Sequence, residues 1–299
     1  MDTLSSAFRE YIKHVMALSK ASAFVTEANV YQEADNNILP YLDQMVEDVV
    51  LPGSGVDGLE NLDELYAKAE AGKSCLLLPE HYSNFDLSLF SYLVRRAGGR
   101  GEAIGSSVIA IAGMKLNEEN PVVSAFASAY SRIVIYPSRS LQGLNVKDNK
   151  AEIVRSNAIN RAAMKTLIEK KNKGRLILLF PAGTRYRPGD PSTKRGVREV
   201  DSYIKSFDYM CMVAINGEVL HVRQKEMLED EVSKDVVRIS AGPVLSCAEF
   251  RDKIRAEADA IDPTLSVEEK KQAVADAIMA ELERMHTEGE KKRRSFLKT

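Results

Sequence analysis

Short, almost wholly apolar runs recur along this chain, and amphipathic stretches separate them. Residues 75–79 (CLLLP), 132–136 (RIVIY), 175–180 (RLILLF), 209–215 (YMCMVAI) and 235–240 (DVVRIS) are each too short for a buried helix and carry little polar alternation. Runs of that kind suit strands covered on both faces. Between and after them lie helix-length segments at 59–71, 86–97, 121–130 and 149–172. Ser246 with Glu249, and Ser266 with Glu269, are capping-box signatures for two C-terminal helices. Residues 103–112, apolar but interrupted by glycine, read as a strand and a turn. This alternation predicts an α/β fold with a mixed, largely parallel sheet flanked by helices.

The first 58 residues have a different texture. Leu4, Phe8, Tyr11, Ile12, Val15 and Met16 share one face of a helix over 3–24, and Ile38, Leu42, Met45, Val46 and Val49 one face of a helix over 39–50. Pro40 is tolerable in that second helix's first turn. Two helices before any strand predict a small helical subdomain (1–58) ahead of an α/β domain (59–299); the alternative is that they pack on the sheet of a single domain. The N-terminus has no apolar h-region of a secretory signal. No apolar run approaches the roughly 18 residues that span a bilayer. Cys75, Cys211 and Cys247 form no CxxC pair, which suits buried thiols in a reducing compartment. A cytoplasmic protein with at most peripheral membrane contact is expected. The last nine residues, KKRRSFLKT, either touch anionic lipid or remain a solvated tail.

The chemistry concentrates where the first apolar run stops. In LLLPEHYSNFDLSLF, 76–90, Pro79 ends the strand, Glu80 to Phe85 form a polar turn, and Asp86 opens a helix that Gly98 and Gly99 close. His81 and Asp86 therefore lie on one turn. A carboxylate that accepts from one ring nitrogen of a histidine fixes the tautomer and leaves the other nitrogen free to take a proton. The same spacing also suits a surface His beside a helix-capping Asp, so other motifs must decide. FPAGTRYRPGDPSTKRG, 180–196, follows another strand and places Arg185 and Arg187 two residues apart. In an extended segment that spacing points both guanidiniums the same way, toward an anion such as phosphate. SRIVIYPSRSL, 131–141, delivers Arg139 to a third strand end. If the strands are parallel, His81, Arg139, Arg185 and Arg187 crowd the rim where ligands of open α/β sheets bind. Residues 132–198 carry 16 Lys and Arg against 4 Asp and Glu, although the whole chain has a net charge of −2. That local excess favours an anionic ligand; part of it lies in RAAMKTLIEKKNKGR, 161–175, where a solvated helix face also accounts for it.

His81 and Asp86, with Ser83 between them, match the His-x4-Asp signature of the glycerolipid acyltransferases, in its common His-x-Ser-x-x-Asp form. FPAGTR resembles the Phe-Pro-Glu-Gly-Thr-Arg block of the bacterial lysophosphatidate acyltransferases. GTRYRPGDPST is more similar to the Gly-Gly-Arg-Asp-Arg-Pro-x-Pro-x-Thr block of the soluble plastid glycerol-3-phosphate acyltransferases, and residues 112–140 also resemble a plastid stretch. The likeness covers residues 75–245 in order and spacing. Two positions depart from it: Ala182 stands where the bacterial block has Glu, and Arg139-Ser140 where the plastid stretch ends Lys-His. The resemblance implies His81 as general base and Asp86 as its orienting acid. Arg139, Arg185, Arg187, Gly183 and Thr184 would hold the acceptor's phosphate, with Ser83 and Lys194 in support. The acyl donor would be an acyl-CoA or acyl-carrier protein, and no metal, cofactor or nucleic acid is expected.

Gly72-Lys73-Ser74 looks like the end of a P-loop, but Ala67 stands where the motif needs Gly, and the strand follows rather than precedes it. No GxSxG motif is present. The open alternatives are an acceptor that already carries one acyl chain, or a non-catalytic protein that binds phosphorylated glycerolipids.

Overall fold

The computed structural model describes residues 1–20, 24–118, 120–137, 140, 149–223 and 227–297. Twelve strands are numbered in chain order among them: β1 Asp2–Thr3, β2 Tyr31–Gln32, β3 Gly55–Asp57, β4 Cys75–Pro79, β5 Val108–Gly113, β6 Arg132–Ile135, β7 Leu176–Leu178, β8 Tyr209–Asn216, β9 Leu220–His221, β10 Glu231–Val232, β11 Arg238–Ala241 and β12 Leu245–Ser246. Nine form one sheet in the order β2-β6-β5-β7-β4-β8-β11-β3, with β12 added on β8. The five central strands, β6 to β8 in that order, are mutually parallel. β2 joins β6, and β11 and β12 join β8, antiparallel, while β3 joins β11 in parallel. The fold is thus the mixed, largely parallel α/β sheet that the apolar runs predict.

Burial explains the absence of polar alternation in those runs. All five residues of β4 are buried. Successive side chains of a strand face opposite ways. Cys75, Leu77, Leu176, Leu178, Cys211 and Val213 enter one core cluster, and Leu76, Leu78, Ile177, Met210 and Met212 enter the other. The first layer is completed by N-terminal residues (Leu4, Phe8, Val15, Leu42, Met45) and by Leu89 and Phe90 of the helix Asp86–Arg95. The second is completed by Ile159 and Leu167 of the helix Lys150–Lys170 and by Val274, Ile278 and Leu282 of the helix Val267–Phe296.

Several boundaries differ from expectation. The strands β1, β2 and β3 lie within the first 58 residues, where the sequence predicts helices followed by a loop at 51–58. At two or three residues each they are too short to leave a periodic signal. The expected helix over 3–24 is two helices, Leu4–Ala7 and Arg9–Leu18, joined at Phe8. Residues 101–107 are helical before β5 begins. That short helix approaches the helix Asp86–Arg95 so closely that a Cβ at Gly101 would lie 2.1 Å from the Val94 carbonyl oxygen, so its glycines serve packing rather than a turn. The basic C-terminus is not a solvated tail through Phe296. Lys292 pairs with Asp57, Arg293 Nη1 donates to Asp235 Oδ1 (2.7 Å), and the Arg238 guanidinium stacks 4.8 Å from the Phe296 ring centre.

Candidate active site

Adjacent parallel strands bring distant segments to one rim. β4 and β7 pair in register, Leu77 opposite Leu178, so the turn after β4 and the loop after β7 leave the sheet side by side. The Tyr186 N–H donates to the His81 carbonyl (2.8 Å) and ties the two together.

Asp86 organises its turn. Its Oδ2 accepts from His81 Nδ1 (2.8 Å), the Tyr82 N–H (2.6 Å) and the Ser83 N–H (2.9 Å), while Oδ1 accepts from the Ser83 hydroxyl (2.9 Å). The residue is only 2 % exposed. A carboxylate taken out of water needs such a set of donors, and its position at the start of a helix adds the favourable field of the helix N-terminus. A carboxylate can only accept, so the shared proton sits on His81 Nδ1. Nε2 is left with no hydrogen bond among the described residues and is the nitrogen that can act as a base. The Phe180 ring stacks on the imidazole, 3.9 Å between centres and 16° between planes, and limits its rotation. Ser83 braces the turn, accepting from the Phe85 N–H as well (3.1 Å).

A second buried carboxylate flanks His81. Glu80 Oε2 accepts from His286 Nδ1 (2.9 Å) and the Ile215 N–H (2.8 Å), and Oε1 accepts from the Tyr82 hydroxyl (2.8 Å). His286 lies on the helix Val267–Phe296, 206 residues away in sequence. That helix seats closely on the sheet. The Asn216 side chain donates to the His286 carbonyl (2.9 Å), and a Cβ at Gly289 would fall 2.1 Å from Asn216 Oδ1. Burial alone would make the His286 imidazolium lose its proton more readily, but the hydrogen bond to Glu80 and its charge outweigh that and hold the pKa above the ordinary 6.5. Lys194 opposes the shift and Glu283 supports it. Burial, reinforced by Glu80, raises the Tyr82 phenol far enough to keep it protonated.

This cluster makes stability depend on pH. A group whose folded pKa is raised contributes fully below its unfolded value, and the contribution is lost as pH rises through the folded value. The wild-type advantage over His286→Gln in unfolding free energy is therefore expected to be largest below about pH 6.5 and to shrink on the alkaline side. Denaturant titrations of both proteins at several pH values check this; a constant difference would contradict it.

The arginine-bearing loop is less uniform than its spacing suggests. Arg185 Nη1 donates to Asp230 Oδ2 (3.2 Å), and Asp230 is fully buried. Burial raises the Asp230 pKa, while the Arg223 N–H and Arg185 work against that rise. Arg187 is exposed. Gly183 and Thr184 form the turn after Ala182, with the Gly183 N–H donating to the Phe180 carbonyl (3.0 Å). Lys194 Nζ donates to Glu283 Oε2 (2.7 Å) and lies 5.2 Å from the Tyr186 ring centre, so it bridges this loop to the C-terminal helix. Arg139 lies outside the described residues.

These elements enclose a cavity of about 240 Å³ beside His81, lined also by Glu80, Tyr82, Ala182, Tyr186 and Lys194 and closed by Met279 and Leu282. The site offers a base, one lining cation, Lys194, and an apolar wall; Arg185 and Arg187, on the same loop as the lining Tyr186, do not line this cavity. Burial pushes the thiols of Cys75, Cys211 and Cys247 up to about 12, which leaves them protonated and poor nucleophiles. Glu80, Phe180, Asp230 and His286 were not singled out from sequence. Glu80 could have been found as a lone acid at a strand end, but His286 and Asp230 carry no local signal.

A family model described as Acyltransferase matches residues 55–205, just over half of the chain. The match includes the His81–Asp86 turn and the Arg185–Arg187 loop and ends before the C-terminal helix. No curated protein matches the chain.

Proposed function

The chain belongs to the acyltransferase family, and from that premise we propose that it transfers a fatty acyl group from acyl-carrier protein or CoA to the sn-1 hydroxyl of glycerol-3-phosphate, a step of phospholipid synthesis. The observation that carries the reading is the hydrogen bond from Tyr186 to His81: it brings the loop bearing Arg185 and Arg187 against the turn that holds the base. The similarity of GTRYRPGDPST to the plastid block favours the unacylated acceptor.

His81 Nε2 takes the acceptor's hydroxyl proton as its oxygen attacks the thioester carbonyl. The tetrahedral intermediate collapses to the ester and expels the thiolate, which takes the proton back from the imidazolium. Asp86 stabilises that imidazolium throughout, as the aspartate of a Ser-His-Asp triad does. No acyl-enzyme is required. Arg185 commits one of its five N–H donors to Asp230, which leaves the others for a phosphate and keeps the guanidinium in place before the ligand arrives.

Arg185→Ala and Arg187→Ala are each expected to raise KM for the phosphorylated acceptor by about 10- to 100-fold, the loss of charge-assisted hydrogen bonds worth roughly 1.5–3 kcal/mol, with a smaller effect on kcat. An unchanged KM would remove that residue from the phosphate site. The reading itself is tested by giving the purified protein one acyl thioester and offering glycerol-3-phosphate and its 1-acyl derivative separately. Thiol release with the former is expected. Release with the 1-acyl acceptor alone would assign the second acylation step, and release with neither a binding role.

A further inference from the structure

Only part of the basic excess in the middle of the chain lies at the site. The helix Lys150–Lys170 carries five basic and two acidic residues. It packs on the sheet through Ser156, Ile159, Ala163 and Leu167. Its outer side is partly apolar too: Val154 is 60 % exposed, Met164 48 % and Ile168 59 %. At 3.6 residues per turn these three lie within roughly 80° of one another, and Lys150, Arg161 and Lys165 fall in or beside the same sector. Phe24, 59 % exposed, sits beside this helix with the Arg155 guanidinium 4.4 Å from its ring centre and extends the apolar area.

We propose that this face, Val154, Met164 and Ile168 with Lys150, Arg161 and Lys165, docks the protein on the surface of an anionic lipid bilayer. Aliphatic side chains interleaved with cations match the two layers of a membrane interface: the aliphatics enter the acyl boundary while long basic side chains reach back to the phosphates. A soluble acidic partner would complement the cations but leave the three aliphatic side chains without a purpose. The other basic segment with apolar residues, near the C-terminus, is already occupied through Phe296 by Asp57, Asp235 and Arg238. Position also fits. Tyr136, just past β6, exchanges two hydrogen bonds with Asn160 and donates its hydroxyl to Glu152, so the N-terminal half of the helix flanks the edge of the sheet that carries His81, and docking holds the rim close to the phase that receives a lipid product. That purpose rests on the acyltransferase reading; the docking itself does not.

The test is co-sedimentation of the full chain with vesicles of phosphatidylcholine and phosphatidylglycerol, and with vesicles of phosphatidylcholine alone. The wild type is expected to pellet with the anionic vesicles and much less with the neutral ones. The Val154→Ser/Met164→Ser/Ile168→Ser and Arg161→Glu/Lys165→Glu variants are each expected to bind the anionic vesicles at least about tenfold more weakly. Wild-type affinity in both variants, or no vesicle binding by the wild type, overturns the proposal. So does a wild-type dimer that the triple variant converts to monomer without changing vesicle binding, since the face would then join two copies. Acyl transfer to a water-soluble acceptor, without vesicles, should be the same in all three proteins. Its absence from the wild type would count against the enzymatic reading and leave the vesicle result standing.

Discussion

Replacing His81 by alanine is expected to lower kcat for acyl transfer by about 10²–10⁴-fold, the usual contribution of a positioned general base, while the protein remains folded. The imidazole is a modest part of the packing. Its side chain is 17 % exposed, its ring contacts Phe180, and its only side-chain hydrogen bond among the described residues is to Asp86. The backbone carbonyl that receives the Tyr186 N–H survives the substitution, so the arginine-bearing loop keeps its place. KM for the acceptor should change little, because the phosphate contacts lie on other residues. Steady-state kinetics on the purified variant, with circular dichroism as a fold control, read both expectations. Near wild-type turnover would show that His81 does not take the proton.

Asp86 should be more costly, because it serves the turn and the base together. In Asp86→Ala the Tyr82 and Ser83 N–H groups, the Ser83 hydroxyl and His81 Nδ1 all lose their acceptor in a place water barely reaches. Each unsatisfied buried donor costs about 1–3 kcal/mol, and partial relaxation of the turn leaves an expected loss of about 3 kcal/mol or more in unfolding free energy. Turnover should fall as far as in His81→Ala, and the double variant should be little worse than either single one, since both changes disable one unit. Asp86→Asn separates the two roles. An amide oxygen in the Oδ2 place can keep three of the donors satisfied but cannot balance an imidazolium, so stability should largely recover while kcat stays about 10²-fold down. An Asn variant with wild-type kcat would leave the carboxylate with a structural role only.

The His81–Asp86 turn was legible in the sequence because every part of it is local. Pro79 ends the strand, five residues separate base and acid, and the helix that Asp86 opens has its own apolar spacing. The central strands were legible for a related reason: a strand buried on both faces leaves a run such as LILLF. What escaped was non-local. Arg185 meets Asp230 across 45 residues and Glu80 meets His286 across 206, and no spacing rule anticipates either. The pairing with Asp230 also bears on the phosphate reading. The sequence suggested two equivalent guanidiniums, whereas the structure holds Arg185 by a buried acid and leaves Arg187 exposed. Lys194, expected in support, lines the cavity beside His81 and also pairs with Glu283. The C-terminal helix supplies the partners of Lys194 and Glu80, though not of Arg185. It lies outside the 55–205 match, yet it supplies the wall of the cavity and the counter-charge of Glu80.

The proposed mechanism turns on where the proton of His81 resides. With four histidines in the chain, nitrogen-15 NMR of histidine-labelled protein, assigned by difference from His81→Gln, can read the tautomer directly. Neutral His81 is predicted to carry its proton on Nδ1 and to present Nε2 as the acceptor, a preference lost in Asp86→Ala. A wild-type His81 protonated on Nε2 would contradict the account, because the nitrogen assigned to accept the hydroxyl proton would already hold one.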